Sequence, residues 1–312
     1  MNQKCSCDND CFTTKDNLKE KIKLIEECEK CQEIQIKKFT PLKDLLDFND
    51  LTDNYKRCEC KKRPIDIVMS HILKIMIEER IVEEDATLRK NSPVPLSGFY
   101  YSTLNPQFIA QKTLILLHPD FNKKVALRLM NEVSEVKGVL KGNPQDTIGQ
   151  FDKNSKIKHF ELLCGCDMQT NVVRTLINEK LIFNKKQSKN HIEVAMTTEE
   201  KLIRLHNFLE NNSINKGTAI DGLCGGGALG IYLLKYGFKK VIFNDANPEA
   251  IETLKDNLEI NEITENFEIY NENFEDLNVE KADLCIIDAF PKADIDEISK
   301  KAYKIANNVV II

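Results

Sequence analysis

The sequence predicts an α/β protein whose C-terminal third is a doubly wound, parallel, Rossmann-like sheet. Three observations predict it. From residue 218 onward, short apolar runs alternate strictly with amphipathic stretches: TAIDGL, ALGIYLLKYG, KVIFND, PEAIETLKDNLEIN, FEIYNE, ADLCIIDAF, DIDEISKKAYKIA and NVVII. Short, continuously apolar strands separated by helices belong to a sheet covered on both faces. A glycine cluster, Gly225, Gly226 and Gly227, follows the first strand, and the acids Asp221 and Asp245 close the first two.

Ahead of this region, TTEEKLIRLHNFLENN reads as an amphipathic helix with a threonine cap. Further back, KTLILLH, KGVLKG and IKHFELLCG read as strands, with NKKVALRLMNEVSEV as a helix between the first two. MQTNVVRTLINE reads as a second helix, and KLIFNK with HIEVAMT as closing strands. The order β-α-β-β-α-β predicts a small ferredoxin-like α+β domain, with a winged helix over 168–197 as the alternative. The first ninety residues are Cys-rich and carry apolar residues at helical spacing in DNLKEKIKLIEECEKCQEI and PIDIVMSHILKIMIEERI. KNSPVPLSG breaks that pattern. The expected organisation is a Cys-rich helical segment over 1–95, the α+β domain over 96–197 and the parallel-sheet domain over 198–312.

At 312 residues and 42% apolar, the chain is long enough for more than one core. It has no apolar run of membrane-spanning length, and MNQKCSCDND is too polar for a signal peptide. A cytoplasmic protein with no membrane partner is expected. The net charge of −5 is unevenly spread: residues 218–312 hold 9 Lys and Arg against 18 Asp and Glu, and residues 1–217 hold 35 against 31. A polyanion should therefore meet the N-terminal part. Residues 123–189, with 13 basic against 7 acidic side chains, are the candidate surface; a solvated lysine-rich face is the plainer alternative.

Seven of the eleven cysteines, Cys5, Cys7, Cys11, Cys28, Cys31, Cys58 and Cys60, lie in the first 60 residues. Under reducing conditions such closely paired thiols point to metal binding more than to disulfides. The spacings C-x-C-x3-C, C-x2-C and C-x-C suit zinc or an iron–sulfur cluster but match no single finger or ferredoxin pattern. Free thiols remain the alternative. Cys164 and Cys166 read as structural, Cys224 as a small filler and Cys285 as core.

The stretch AIDGLCGGGALG, residues 219–230, narrows the ligand. Glycines permit a tight turn and close approach of a ligand to the backbone. The dinucleotide pattern GxGxxG fits poorly, because the acid precedes the glycines. Two strand-end acids and a glycine loop suit a ligand with an ammonium and a ribose diol. Asp245 can accept from both ribose hydroxyls, and Asp221 can hold the positive end. S-adenosylmethionine is that ligand; an empty tight turn and a nucleotide-binding oxidoreductase are the alternatives.

These residues resemble the class I S-adenosylmethionine-dependent methyltransferases over the last 95 residues. DGLCGGG is similar to the family loop D-x-G-x-G-x-G, except that Leu223 stands at the first glycine. That departure resembles the tRNA guanine-N2 dimethyltransferases, whose loop runs D-x-L-x-A-x-G-x-x-G, and NDANPEAIETLKDNLEIN resembles their second motif. The resemblance implies an enzyme that binds S-adenosylmethionine through Asp221, Gly222, Gly225, Gly227, Asp245 and Asn247, with Asn273 and Phe274 near the adenine. It puts the methyl group at the end of the fourth strand, where family members acting on base amines carry (D/N)-P-P-(Y/F) or D-P-F-G. Here Asp288-Ala289-Phe290-Pro291 matches the second form imperfectly. Asp288 would accept the amine proton and Phe290 would stack on the base; a helix cap and a core phenylalanine are the plainer readings. The implied substrate is an amino nitrogen of RNA, and of tRNA in particular. A small-molecule or protein methyltransferase, or a non-catalytic metal-binding subunit, stays open. The family usually continues past its fifth strand, so a homodimer or partner subunit is expected at the edge made by NVVII.

Overall fold

The computed structural model describes residues 11–101, 107–146, 148–149, 157–193, 195–289 and 293–312. They group into two compact units, one of 5–146 with 160–169, the other of 170–312 with residues from 147–159.

The first unit contains α1 (Leu18–Lys23), β1 (Arg63–Pro64), α2 (Ile65–Glu78), β2 (Val94–Ser97), β3 (Phe99–Tyr101), β4 (Phe108–Ile109), β5 (Leu114–His118), α3 (Lys123–Glu132), β6 (Val136–Lys141) and β7 (Glu161–Gly165). A four-stranded sheet runs β2-β5-β6-β7, with β5 and β6 parallel and the outer pairs antiparallel. α3 is the crossover between the parallel pair, and the Asn122 side chain caps it by accepting from Val125 N at 3.1 Å. α2 is apolar nearly all round, as a helix covered on several sides must be. Val68, Ile72, Ile75 and Met76 pack with Leu114, Leu116, Phe121 and Val125. Leu73 packs instead with Leu42, Leu51 and Ala86. The helix of the Cys-rich segment and the strands of the following stretch thus share one core.

Three local expectations change. KNSPVPLSG is not a break: it supplies β2, where Pro95 is tolerated because β2 is an edge strand. The first helix stops at Lys23, and Cys28 and Cys31 form a turn closed by Cys31 N donating to Cys28 O at 2.9 Å. MQTNVVR is a strand, so the β-α-β-β-α-β order of a ferredoxin-like domain is not formed. Six of its seven residues are buried, including Gln169, Thr170 and Asn171, so no period-two alternation marks it.

A buried charge network lies behind β1. Arg63 is fully buried and forks onto the equally buried Glu135, its Nε 2.9 Å from Oε1 and its second nitrogen on Oε2. Arg57 reaches the same carboxylate at 2.9 Å. His71, 3.5 Å from Arg63, is pushed down to about 4 by burial and by the Arg63 charge.

The second unit contains the neighbouring strands β8 (Met168–Arg174) and β9 (Lys180–Lys186), then α4 (Ala195–Asn211), β10 (Thr218–Asp221), α5 (Ala228–Tyr236), β11 (Lys240–Asn244), α6 (Pro248–Ile260), β12 (Phe267–Tyr270), β13 (Ala282–Ile287), α7 (Ile295–Ile305) and β14 (Ala306–Ile311). HIEVAMT, expected as a strand, instead runs into α4, which begins at Ala195. From β10 onward the alternation is as expected. The sheet order is β12-β11-β10-β13-β14 and every pair is parallel. The winding reverses between β10 and β13, which opens a crevice at their carboxyl ends. No helix among the described residues is long and apolar enough to cross a membrane.

Removing one partner of a buried ion pair leaves an uncompensated charge and costs about 3–5 kcal/mol. Glu135→Gln should therefore destabilise the chain by about that amount in urea unfolding, and an unchanged midpoint would show that Asp53, 3.5 Å from Arg63, balances its charge alone.

Candidate cofactor site and thiol cluster

Strand register brings three carboxylates to one end of the second unit's sheet. Asp221 ends β10 and pairs with Phe243 of β11 and Ile286 of β13. Asp245 and Asp288 lie two residues beyond those partners. Asp221 is 1% exposed. Its Oδ2 accepts from Gly230 N at 2.8 Å, and its Oδ1 is buried without a hydrogen-bond partner among the described residues. Burial pushes its carboxyl up to about 7, opposed by the Gly230 amide and reinforced by the charges of Asp288 and Asp245. An unpaired buried acceptor facing two more acids is a costly arrangement for a free carboxylate.

The glycine loop is fixed by hydrogen bonds to its neighbours. Gly222 N donates to Ile286 O at 3.0 Å, and Cys224 N to Asn244 O at 2.9 Å. Gly225 N donates to Asp245 Oδ2 at 2.8 Å, and the Asn257 amide donates to Gly226 O at 2.9 Å. Gly227 sits at φ 84°, and a Cβ there would lie 2.2 Å from Leu254, so only glycine fits. Gly225, at φ 50°, has nothing within 4 Å of a Cβ position. Asp245 also accepts from Asn247 N at 2.8 Å, and burial raises its carboxyl against the pull of these two amides. Each oxygen keeps a second lone pair for a ligand hydroxyl.

The other expected contacts divide. Asn247 caps α6, accepting from Glu249 N at 3.1 Å, and so positions Asp245 through its backbone. Asn273 lies in a half-buried turn, its amide 3.3 Å from Asp276. Phe274 is buried in the core with Leu277 and Ile287, under Gly222. Phe290 lies outside the described residues. Asp288 is not the cap of α7; that role belongs to Asp294, whose side chain accepts from Glu297 N at 3.2 Å.

Two polar groups were not foreseen from the sequence. Lys201 of α4 bridges Asp288 at 2.6 Å and Glu193 at 2.8 Å. Burial raises the Asp288 carboxyl, and the Lys201 ammonium draws it back. Burial would lower Lys201, but Glu193 and Asp288 raise it above the ordinary value. Lys185 donates to the carbonyls of Glu193 and His191 at 2.8 and 3.2 Å, and burial pushes it down to about 8. Asn257 of α6 and Asn261 at its C-terminal cap, both buried, also bond the edge of β9: Asn184 N donates to Asn257 at 2.8 Å, and Ile182 N to Asn261 at 3.0 Å. A polar residue on the inner face of a predicted helix is the signal that marks such a clamp.

Four of the seven expected thiols meet in the first unit. Cys28, Cys31, Cys58 and Cys60 place their sulfurs within 4.8 Å of one another. The nearest separations are 3.7 Å for Cys28–Cys31, 3.5 Å for Cys28–Cys58 and 3.6 Å for Cys31–Cys60. Cys11 is elsewhere, its sulfur 3.5 Å from that of Cys166. Cys5 and Cys7 lie outside the described residues.

The family model of ribosomal protein L11 methyltransferase (PrmA) matches residues 196–308. Ribosomal protein L11 methyltransferase of Citrobacter koseri is 41% identical over 63 residues, 20% of this chain and 22% of that protein. That of Klebsiella pneumoniae is 40% identical over the same length, with the same coverage. The chain thus spans about a fifth of the length of the curated relatives it matches. Among solved structures, the Pyrococcus abyssi tRNA (uracil-54, C5)-methyltransferase in complex with S-adenosyl-L-homocysteine overlays with a TM-score of 0.48 at 16% identity, covering 80% of this chain and 56% of that one. The tRNA m1G37 methyltransferase of M. jannaschii overlays with a TM-score of 0.41 at 18% identity, covering 62% of this chain and 55% of that one. By its parallel sheet and its match to the family model, the C-terminal part of the chain has the class I S-adenosylmethionine-dependent methyltransferase fold.

Proposed function

We propose that the chain is an S-adenosylmethionine-dependent methyltransferase acting on an amino nitrogen of a base in RNA, with tRNA as the substrate. The observation that carries the cofactor reading is the orphaned Asp221 Oδ1 among acidic neighbours, an arrangement that a cationic ligand would relieve. Asp221 would hold the positive amino-acid end, Asp245 the ribose hydroxyls, and Gly222, Gly225 and Gly227 the close approach of backbone to ligand. Bound there, the cofactor supplies an electrophilic methyl group. Asp288 would accept a hydrogen bond from the amine and then its proton, and Phe290 would stack on the base. Lys201 favours the charged form of Asp288 against burial and holds its carboxylate at 2.6 Å. On this reading 198–312 is the catalytic domain, and the α+β part (96–197) with the Cys-rich segment (1–95) presents the substrate. The basic 123–189 stretch carries the RNA. The four converging thiols hold metal, as zinc or an iron–sulfur cluster. A second subunit pairs along β14, which lies at the sheet edge; a monomer in sedimentation would remove that element.

A protein amine is the second reading, favoured by the match to the ribosomal protein L11 methyltransferase model. Transfer of labelled methyl from the cofactor into fractionated extract separates the two. Label in nuclease-sensitive material supports RNA, and label in protease-sensitive material overturns it. Filter binding to bulk tRNA should weaken steeply with salt, since phosphate contacts release counterions.

Cofactor affinity should depend on pH in a stated direction. The Asp221 carboxyl, raised to about 7, is protonated in the free protein below that value. A cationic ligand prefers the carboxylate, so binding should tighten as pH rises through about 7 and weaken by up to about tenfold per unit below it. The same proton stabilises the ligand-free fold below about pH 4, and that stabilisation is lost as pH rises toward 7. Calorimetric titration of wild type and Asp221→Asn checks this: the variant should bind more weakly and lose the slope, and an unchanged slope assigns the proton elsewhere.

Asp288→Ala should keep cofactor binding within about threefold while losing at least about a hundredfold in turnover, the range of a positioned proton acceptor. Full turnover in the variant would remove Asp288 from the chemistry.

A further inference from the structure

We infer that Cys28, Cys31, Cys58 and Cys60 hold a single zinc ion in a closed, four-thiolate, structural site. The inference rests on the proposal that these thiols bind metal, and it names which metal and to what end. The sulfur separations decide between the candidates. A tetrahedral ion with metal–sulfur bonds of about 2.3 Å sets its ligand sulfurs about 3.8 Å apart. The closest pairs here stand at 3.5, 3.6 and 3.7 Å, and all four sulfurs lie within 4.8 Å of one another. A cluster of several irons needs more room, because its ligand sulfurs are separated by two iron–sulfur bonds and an iron–iron edge. Zinc leads the single-ion candidates because thiolates are soft ligands and bind it more tightly than ferrous iron.

Four thiolates complete a tetrahedron and leave no open position for a water or a substrate, which marks a structural site. The surroundings show what the ion would join. Cys28 and Cys31 sit on one turn, and Cys58 and Cys60 on another, closed by Cys58 N donating to Lys62 O and Lys61 N donating to Cys58 O, both at 2.8 Å. Lys62 is nearly buried, and its ammonium donates to Lys23 O at 2.6 Å and to Glu26 O, just ahead of the first turn. Arg63 follows at once and enters the buried pair with Glu135. The ion would therefore tie the segment after α1 to the segment that delivers Arg63 into the core. Few elements secure these residues otherwise: between α1 and β1 the described structure is turns and one three-residue 3-10 helix.

Metal analysis of the full chain, purified anaerobically, tests this. One zinc bound through these thiols, released by a thiol-modifying mercurial, is expected. Cobalt added to the stripped protein should give the visible bands of a tetrahedral thiolate site, lost in Cys28→Ser and shifted in Cys60→His, which keeps a donor. A chelator should lower Tm and zinc should restore it. Iron with acid-labile sulfide would overturn the single zinc while leaving metal binding by these thiols intact. No metal and no cobalt uptake would overturn both. A Tm indifferent to the chelator while the zinc is removed would overturn the structural role.

Discussion

Gathering carboxylates at the ends of neighbouring strands is the constraint on which the second unit turns. A parallel sheet does this readily, because its strands all finish at the same end and their register sets which residues face one crevice. Here Asp221, Asp245 and Asp288 each follow a strand, and burial raises all three carboxyls. The fold offsets part of that cost locally. Asp245 takes two amides, Asp221 takes one, and Asp288 takes the Lys201 ammonium. Among the described residues Asp221 Oδ1 is left without a hydrogen-bond partner, and on the proposed reading the cationic end of the ligand meets it.

The loop beside these acids is held by three side chains, from β11, the residue after it and α6, so its shape is a property of the unit rather than of the glycines alone. Asn244 of β11 bonds Gly222 O, Asp245 pins Gly225, and Asn257 of α6 bonds Gly226 O while its other end accepts from β9. Glycine supplies the left-handed turn at Gly227, but the buried amides decide which turn is made. Networks of this kind specify one arrangement when their members are satisfied; here Asn244 Oδ1 is buried with no hydrogen-bond partner among the described residues.

The alternation from β10 to β14 was legible because strands covered on both faces are short apolar runs, and the helices between them are amphipathic. Asp221, Asp245 and the glycines were legible for the same reason: strand ends are easy to find. β8 was not, since Gln169, Thr170 and Asn171 are buried in it and disguise the strand as the polar face of a helix. β2 was hidden by Pro95, which reads as a break unless the strand is known to be an edge. Lys201 and Asn257 were invisible because their partners are 87 and 31 residues away, at Asp288 and Gly226. Among the cysteines, spacing identified the pairs but not their grouping. Cys11 falls beside Cys166, 155 residues on, while Cys28 and Cys58 meet across 30.

Lys201 carries the last step of this reasoning. Burial by itself favours the neutral form of a carboxyl, and a neutral carboxyl cannot accept a proton from a substrate amine. The Lys201 ammonium draws the Asp288 carboxyl back down against burial, and Lys201 is itself shared with Glu193. On the proposed reading this sharing suits the chemistry. Pairing with a cation makes a carboxylate a weaker base, and burial without one favours its protonated form.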